Sequence, residues 1–154
     1  MPLSELLSPE GVLPALRVQS KKQALQEISA AAARLTGLDE GEIFGTLLQR
    51  ERLGSTGIGE GIAIPHGKLS TINRLVGLVA RLERPIDFEA IDGQPVDLLF
   101  LLLAPEGAGA DHLKALARVA RALREPGLVE RARAARDGAA LYAVLTHSSA
   151  PRAA

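Results

Sequence analysis

Two mostly apolar runs of strand length lie in the middle of this 154-residue chain, and they constrain its fold more than any other feature. They are residues 75–82 (LVGLVARL) and residues 96–104 (VDLLFLLLA). A strand with one face in water alternates apolar and polar residues, whereas a continuous apolar run indicates a strand that is covered on both faces. The two runs therefore predict the interior of a sheet with helices packed against both sides.

Two amphipathic helices are predicted before these strands. Residues 20–35 have apolar side chains at helical spacing, begin with the capping-box pair Ser20 and Gln23, and are followed by Gly37 as a stop. The same pattern predicts a second helix that starts after Asp39 and runs up to Gly54. The N-terminal part of the domain is therefore predicted to be helical.

The segment between the two apolar runs has strand and turn signals of its own. Ile86, Phe88 and Ala90 alternate with acidic residues, and the Asp92-Gly93 pair indicates a turn. We therefore expect extended chain and a turn between the two long strands.

Three further helices are predicted after the strands. Asp111 is placed to cap the first, Pro126 to start the second, and Asp137 to precede a short last helix that ends near Leu145. The order of helices, strands and helices predicts one α/β domain over residues 1–154, with a sheet covered by helices and a frayed tail from about residue 147.

Composition excludes several classes of function. Lys plus Arg and Asp plus Glu each total 18, and a net charge of zero argues against a dedicated nucleic-acid binder. The absence of cysteine excludes disulfides, iron–sulfur clusters and thiol catalysis. The longest wholly apolar stretch is residues 98–104, too short to insert into a membrane, and the start of the chain lacks the pattern of a signal peptide. A cytoplasmic location is expected.

His66 is the most informative of the three histidines. Pro65 fixes its own φ and biases Ile64 towards an extended backbone, while Gly67 leaves open space on the other side of His66. This arrangement suits a reactive histidine, although an ordinary surface-loop histidine fits the spacing equally well.

The other two histidines are weaker candidates. His112 follows Asp111 in the first turn of a predicted helix, where free N–H groups can receive an anion, but polar residues are common there without any function. His147 lies in the tail and is predicted to be incidental. The spacings between the histidines match no local metal-ligand motif, so no metal site is predicted.

The loop Gly54-Ser55-Thr56-Gly57 is a candidate anion site. Its backbone N–H groups and two hydroxyls could hold a phosphoryl group, but bare glycines also serve tight turns and close packing. The residues around it match neither GxGxxG before a helix nor GxxxxGK[ST], so a dinucleotide fold and a nucleotide P-loop are excluded.

Basic side chains form two further candidate binding features. Arg50 closes the second predicted helix, where a cation is favoured by the helix dipole whether or not it has another role. Lys114, Arg118 and Arg121 recur at helical spacing, which indicates either a solvated face or a local basic surface for an acidic partner.

Residues 54–68, GSTGIGEGIAIPHGK, closely resemble the phosphohistidine motif of the enzyme IIA proteins of the bacterial phosphoenolpyruvate-dependent phosphotransferase system. The resemblance is to the fructose/mannitol/nitrogen-regulatory superfamily, and it is best to the nitrogen-regulatory branch. It extends over nearly the whole chain, through QSKKQALQEIS, RPIDFEAIDGQPVDLLFLLLAP and HLKAL. It implies a single type-2 IIA domain whose mixed β-sheet is flanked by helices on both sides.

The resemblance also implies a site and a reaction. His66 corresponds to the phosphorylated histidine, as a tele-phosphohistidine, with His112 and Arg50 as the other active-site residues. The implied protein is a phosphotransferase component that needs no cofactor and takes its phosphoryl group from an HPr-like carrier. In the nitrogen branch the phosphorylation state regulates partner proteins, including potassium-uptake systems and sensor kinases.

Two alternatives remain at this stage. The segment PEGAGADHLKALA also resembles the fructose-type branch, so the chain could be a separate IIA component that passes phosphate to a IIB protein for sugar uptake. In a different class, the chain could be a non-enzymatic module in which His66 is never phosphorylated and the glycine loop binds an anion or a protein.

Overall fold

A computed structural model describes residues 3–147, which form a six-stranded sheet and five α-helices. The strands are β1 (Val12–Leu16), β2 (Gly57–Gly59), β3 (Ile62–Ala63), β4 (His66–Leu69), β5 (Val76–Ile86) and β6 (Val96–Pro105). The helices are α1 (Lys21–Thr36), α2 (Glu40–Arg52), α3 (Ala110–Leu123), α4 (Leu128–Ala134) and α5 (Gly138–His147).

The sheet is mixed, as expected. Its order is β1-β5-β6-β3-β2, and β4 also pairs with β6. The pair β5–β6 and the pair β2–β3 are antiparallel, whereas β1 runs parallel to β5 and both β3 and β4 run parallel to β6. The long apolar runs are β5 and β6, the two central strands, which explains why they carry so few polar residues.

The short strands β3 and β4 lie one after the other along the same edge of β6. Ile62 pairs with Leu98 and His66 pairs with Leu102, and the N–H of Leu102 donates to the carbonyl of Pro65 at 2.9 Å. The two strands are therefore halves of one strand, interrupted at Ile64 and Pro65, and His66 is the first residue of the second half.

Helices cover both faces of the sheet, which confirms the predicted architecture. Alternate residues of β6 point to opposite sides: Leu99, Leu101 and Leu103 pack with α1 and α2, while Leu98, Phe100 and Leu102 pack with α3, α4 and α5. All six are at most 1% exposed. Each face therefore has its own apolar core, as the continuous apolar run indicated.

The predicted ends of the first two helices are confirmed. The Ser20 hydroxyl accepts from the N–H of Gln23 at 3.1 Å, and the Asp39 carboxylate accepts from the N–H of Glu42 at 2.9 Å. Gly37 takes a φ of +79° at the end of α1, a conformation that strongly favours glycine. Local sequence signals thus fix the start of α2, which carries part of the candidate site.

Two predicted helix starts need correction. Asp111 does not cap α3, because the helix already begins at Ala110 after Gly109 and the Asp111 side chain lies in the first turn. Pro126 does not start α4, because Gly127 follows it with a φ of +82° and the helix begins only at Leu128.

The last helix begins as predicted and ends later than predicted. The Asp137 carboxylate accepts from the N–H of Ala140 at 2.8 Å. The helix α5 extends beyond Leu145 to His147, so His147 is helical rather than part of a frayed tail. The rest of that tail, residues 148–154, lies outside the described residues.

The chain between β5 and β6 is not a further strand. Ile86 still belongs to β5, but Glu89 has a φ of +57°, which breaks the extended backbone while Phe88 stays buried. The predicted turn is present, with Gly93 at a φ of +72°. The alternation here reflects burial of Ile86 at the end of β5 and of Phe88 in the irregular segment that follows.

Two edge strands were not predicted from the sequence. The strand β1 contains Pro14, and β2 is the three-residue segment Gly-Ile-Gly, so neither has the composition of a strand. Within residues 3–147, no helix is long and apolar enough to span a membrane.

Candidate functional site

A cavity of about 610 Å³ opens between α2, β4 and the start of α3. The three residues with predicted roles in the site, Arg50, His66 and His112, all line it, one from each of these elements. Leu53 and Leu113 also line it and are 83% and 68% exposed. The sequence positions 50, 66 and 112 are therefore brought together by packing of the helices on the sheet.

Hydrogen bonds at both ring nitrogens fix the half-buried imidazole of His66. Its Nδ1 lies 2.8 Å from the carbonyl oxygen of Ile64, and a carbonyl can only accept, so Nδ1 carries the proton. In the neutral ring Nε2 then holds the lone pair, and it accepts from Nε of Arg50 at 3.3 Å. The geometry leaves Nε2 as the nucleophilic nitrogen of a neutral His66.

Arg50 lies in the last turn of α2 and makes two contacts with its guanidinium. Besides the bond from Nε to His66, its Nη1 donates to the carbonyl oxygen of Gly54 at 2.9 Å. The cation therefore fastens the chain that leaves the helix while it reaches His66. From the sequence, helix capping and a role in the site were alternative explanations for Arg50. In the structure the same guanidinium contacts both the end of the helix and His66.

His112 is the third residue of α3 and is only 5% exposed. Its ring lies edge-on to that of His66, with centroids 5.6 Å apart and planes at 65°. Among residues 3–147, its Nε2 is the buried side-chain polar atom that has no hydrogen-bond partner. A buried polar atom without a partner is costly, so this nitrogen is suited to bind an incoming group.

Both histidines are held neutral at pH 7. Burial is the largest of the effects that act on the pKa of His66, and it lowers this pKa below 6.5. The hydrogen bond to the Ile64 carbonyl raises the pKa, the positive charge of Arg50 lowers it further, and the negative charge of Glu51 raises it. Burial also lowers the pKa of His112, with smaller contributions from His66 and Lys68. An uncharged imidazole at position 66 is the form that can act as a nucleophile.

Lys68 is a cation of the cavity wall that the sequence analysis missed. It lies two residues after His66 on β4, and side chains at i and i+2 of a strand share a face. That spacing is the signal that could have identified it. The cavity wall thus holds the basic side chains of Arg50 and Lys68 beside two neutral histidines.

The glycine loop was predicted to bind the phosphoryl group, and its hydrogen bonds do not support this. The Ser55 hydroxyl donates to the Phe88 carbonyl oxygen and accepts from the N–H of Gly57. The N–H and hydroxyl of Thr56 both donate to the Glu51 carboxylate, and the N–H of Gly54 donates to the carbonyl of Glu51. These donors are occupied within the protein.

Close packing, and not anion binding, explains why a glycine is needed at position 57. A Cβ atom at Gly57 would lie 2.7 Å from Cβ and 2.8 Å from Cα of Ala90, which is closer than atoms can approach. The loop therefore needs a bare backbone at this position because it packs directly on the segment that follows β5.

A match to a known family covers almost the whole chain. Residues 5–148 match the family described as the phosphoenolpyruvate-dependent sugar phosphotransferase system, EIIA 2. The chain belongs to this family. The predicted family is thereby confirmed, and the domain that carries His66, Arg50 and His112 is a IIA domain.

Its similar relatives are named nitrogen regulatory proteins. The chain is 63% identical over 145 residues to the nitrogen regulatory protein of Bradyrhizobium diazoefficiens, covering 94% of this chain and 95% of the relative. It is 47% identical over 145 residues to that of Escherichia coli strain K12, covering 94% of this chain and 89% of the relative. The predicted similarity to the nitrogen-regulatory branch is confirmed.

Solved structures share the fold of this IIA domain. The nitrogen regulatory protein IIA-Ntr of Neisseria meningitidis superimposes with a TM-score of 0.88 at 34% identity, covering 94% of this chain and 99% of that one. The mannitol IIA of Escherichia coli has a TM-score of 0.75 at 20% identity, covering 90% and 98%, and is similar in fold alone.

The basic residues predicted on α3 are at the surface of the IIA domain. Lys114, Arg118 and Arg121 are all exposed on α3, so the basic stripe lies at the surface, and an acidic partner for it stays a prediction. Within residues 3–147, no three His, Cys, Asp or Glu side chains form a group that could hold a metal ion.

Proposed function

We propose that this IIA domain is a phosphocarrier that accepts a phosphoryl group on Nε2 of His66 from a histidine-phosphorylated, HPr-like carrier protein. The observation that carries the proposal is the pair of bonds to the His66 ring. The Ile64 carbonyl holds the proton on Nδ1, and Nε2 is thereby left with its lone pair at a cavity that a partner protein can reach.

The reaction transfers one phosphoryl group between two imidazoles. The lone pair on Nε2 of His66 attacks phosphorus, the P–N bond of the donor phosphohistidine breaks, and its electron pair returns to the donor ring. No base is needed, because the pKa of His66 is lowered and Nε2 is unprotonated at pH 7. The proton stays on Nδ1 and remains hydrogen-bonded to the Ile64 carbonyl oxygen, which stabilises the positive charge that develops on the ring.

The cavity wall supplies the charge that the transferred group requires. A phosphoryl group carries about −1.5 to −2 charge at pH 7. The N–H at Nε of Arg50 would turn from Nε2 of His66 and donate to a phosphoryl oxygen instead, and Lys68 would add a second positive charge. The unpartnered Nε2 of His112, in the tautomer that carries its proton there, would provide a neutral donor, and so would the start of α3, which has no side-chain cap.

A regulatory output is favoured for the phosphorylated protein. The relatives at 63% and 47% identity, which the chain matches over 95% and 89% of their length, are both named nitrogen regulatory proteins. A charged group beside the exposed Leu53 and Leu113 would oppose docking of an apolar partner surface, so phosphorylation can switch partners. The expected partners are regulatory targets such as potassium-uptake systems or sensor kinases.

Sugar transport is the second candidate function. One solved structure of similar fold is a complex of the mannitol enzyme IIA with phosphorylated mannitol enzyme IIB from Escherichia coli. A 34% identical relative over 124 residues is named a fructose-specific EIIABC component. Rapid transfer of phosphate from this chain to a IIB domain would favour transport over the regulatory output.

The decisive experiment is incubation with phosphorylated HPr-like carrier followed by mass spectrometry. We expect one phosphoryl group per chain, labile in acid and stable in alkali, on His66. His66→Ala should accept none, whereas His147→Ala, a variant at the exposed end of α5, should be labelled like the wild type. A wild-type chain that never acquires phosphate would overturn the proposal and leave the non-enzymatic binding module.

A further inference from the structure

Glu51 is a buried carboxylate that has no place in the reaction just proposed. It follows Arg50 in the last turn of α2, but its side chain points into the protein and is only 3% exposed. A carboxylate at such a position must be compensated by several donors, because it has lost its water. The structure provides three.

Two of these donors belong to Thr56. Its N–H donates to Oε1 of Glu51 at 3.1 Å, and its hydroxyl donates to Oε2. The third is the ammonium of Lys21 at the start of α1, 3.0 Å from Oε1 of Glu51. Lys21 is itself held by Glu89 at 3.2 Å and lies 4.8 Å from the centre of the Phe88 ring. The carboxylate thus joins α1, α2 and the loop before β2.

One chain of hydrogen bonds leads from this carboxylate to Nδ1 of His66. The carbonyl oxygen of Thr56 accepts from the N–H of Ile64 at 3.0 Å. The carbonyl of Ile64 in turn accepts from Nδ1 of His66 at 2.8 Å. Thr56, fixed by Glu51, therefore places the carbonyl that sets the tautomer and orientation of the imidazole.

A second chain leads to the other ring nitrogen. The backbone carbonyl of Glu51 accepts from the N–H of Gly54 at 3.0 Å, and the carbonyl of Gly54 holds Nη1 of Arg50 at 2.9 Å. Nε of Arg50 donates to Nε2 of His66 at 3.3 Å. Both supports of the ring thus pass through residues 54–56. The carboxylate of Glu51 holds this segment at Thr56, and the Ser55 hydroxyl holds it at the Phe88 carbonyl.

We propose that Glu51, neutralised by Lys21 and bound by Thr56, is a positioning residue for phosphoryl transfer that aligns both the imidazole of His66 and the guanidinium of Arg50. This inference rests on the proposed function of His66 as the phosphoryl acceptor. The charge matters as well as the shape. A glutamine has one acceptor oxygen in place of two and cannot neutralise the ammonium of Lys21.

The test compares Glu51→Gln with two controls in the full-length protein. Glu42→Gln removes an exposed carboxylate from the same helix, and Ile28→Val trims the core of α1 without touching the hydrogen bonds described. Nitrogen-15 NMR of the His66 ring reports its tautomer, thermal melts report stability, and phosphorylated carrier gives the transfer rate. The NMR measurement does not depend on phosphorylation.

In Glu51→Gln we expect a mixture of His66 tautomers and a transfer rate lower by about tenfold or more, since a misplacement of about 1 Å can cost about 100-fold. Both control variants should keep the wild-type tautomer and transfer rate. For Ile28→Val we expect this even though its melting temperature is lower than that of the wild type. A folded Glu51→Gln protein with the wild-type tautomer and rate would overturn the inference.

Thr56 supplies a second, independent pair of variants if Glu51→Gln does not fold. Thr56→Val removes the hydroxyl at nearly constant volume, whereas Thr56→Ser retains it. We expect slower transfer and a mixed tautomer in the valine variant and recovery in the serine variant; equal behaviour of the two would overturn the inference. If the wild type is never labelled, the proposed function fails, while the NMR comparison still judges the positioning role.

Discussion

Nε of Arg50 lies 3.3 Å from Nε2 of His66, so the cation expected to hold the phosphoryl group is bonded to the nitrogen expected to attack it. In the resting protein this contact directs the lone pair and disfavours protonation of the ring. During transfer the N–H of Arg50 must leave Nε2 and move to a phosphoryl oxygen. One side chain therefore prepares the nucleophile and then stabilises its product, which makes Arg50 the most informative residue to change.

Replacement of Arg50 should slow transfer strongly with little effect on folding. Loss of one preorganised donor costs about 100- to 1,000-fold in closed sites, and for this open cavity we expect about 10- to 100-fold in Arg50→Ala. Arg50→Lys should recover only part of the rate, because an ammonium cannot reach Nε2 and the Gly54 carbonyl with a planar fork. Rapid-quench measurement of phosphoryl transfer provides the rates.

The neighbouring Arg52 serves as the control for this change. It lies in the same last turn of α2 but is exposed and does not line the cavity. Arg52→Ala should transfer phosphate at the wild-type rate. If Arg50→Ala and Arg52→Ala are equally fast, Arg50 only caps the helix.

His112 should act on the phosphorylated state through its unpartnered Nε2. We expect His112→Ala to shorten the lifetime of phospho-His66, because a donor to the phosphoryl oxygens is lost. His112→Gln retains an N–H donor and should preserve part of that lifetime. The decay of phosphorylated protein at neutral pH, followed by native gel electrophoresis, measures this effect, with His147→Ala as the control.

The two lowered histidine pKa values predict how stability depends on pH. Burial, the main cause in both, keeps His66 and His112 neutral in the folded protein, while in the unfolded chain they titrate near 6.5. The unfolded chain therefore binds more protons once the pH falls below about 6.5, and the free energy of unfolding must decrease there. Above that pH neither group contributes, because both states are neutral.

Urea denaturation at pH 7.5 and at pH 5.5 measures this dependence. The loss of stability between the two values should be smaller in His66→Ala and in His112→Ala than in the wild type. His147→Ala should leave it unchanged, since that residue is exposed at the end of α5. An equal loss in all four proteins would contradict the assignment of the pKa values.

Sequence signals predicted those parts of the fold and site that are encoded locally. The caps at Ser20 and Asp39 and the two central strands depend on residues close together in the chain, and each is where it was expected. Of the site residues, His66 was indicated by its position between Pro65 and Gly67. The expectation that Gly67 leaves open space was wrong, because Thr46 of α2 packs directly against it. The prediction that Arg50 and His112 share a site with His66 came from the family resemblance and not from their spacing in the sequence.

The missed features depend on contacts between distant residues. In the sequence Glu51 is one more charged residue at a helix end. Its burial, and its compensation by Lys21 thirty positions earlier, appear only in the tertiary structure. The Ser55 hydroxyl could be interpreted as free for an anion because its acceptor, the Phe88 carbonyl, lies 33 positions later. The acceptor of Thr56, Glu51, is near in sequence, but the fold alone turns its carboxylate into the protein. No local pattern contains this information.

The close contact between Gly67 and Thr46 keeps β4 near α2. A Cβ atom at Gly67 would lie 2.5 Å from Cγ2 of Thr46, one turn before Arg50 on α2. Gly67→Ala should therefore push the strand that carries His66 away from the helix that carries Arg50. We expect a stability loss of about 1–3 kcal/mol, typical of overpacking, together with slower phosphoryl transfer. Thermal melts and transfer rates measure the two effects.

The double variant Gly67→Ala with Thr46→Ser separates steric pressure from other effects of the added methyl group. Serine lacks the Cγ2 atom that would clash, so the double variant should regain both stability and transfer rate. Gly45→Ala is the control for adding a methyl group to this region, because nothing lies within 4 Å of its Cβ and alanine is the better helix former by about 1 kcal/mol. It should be at least as stable as the wild type and transfer phosphate normally. If Thr46→Ser fails to restore transfer in the Gly67→Ala background, spacing between α2 and β4 is not what aligns Arg50 with His66.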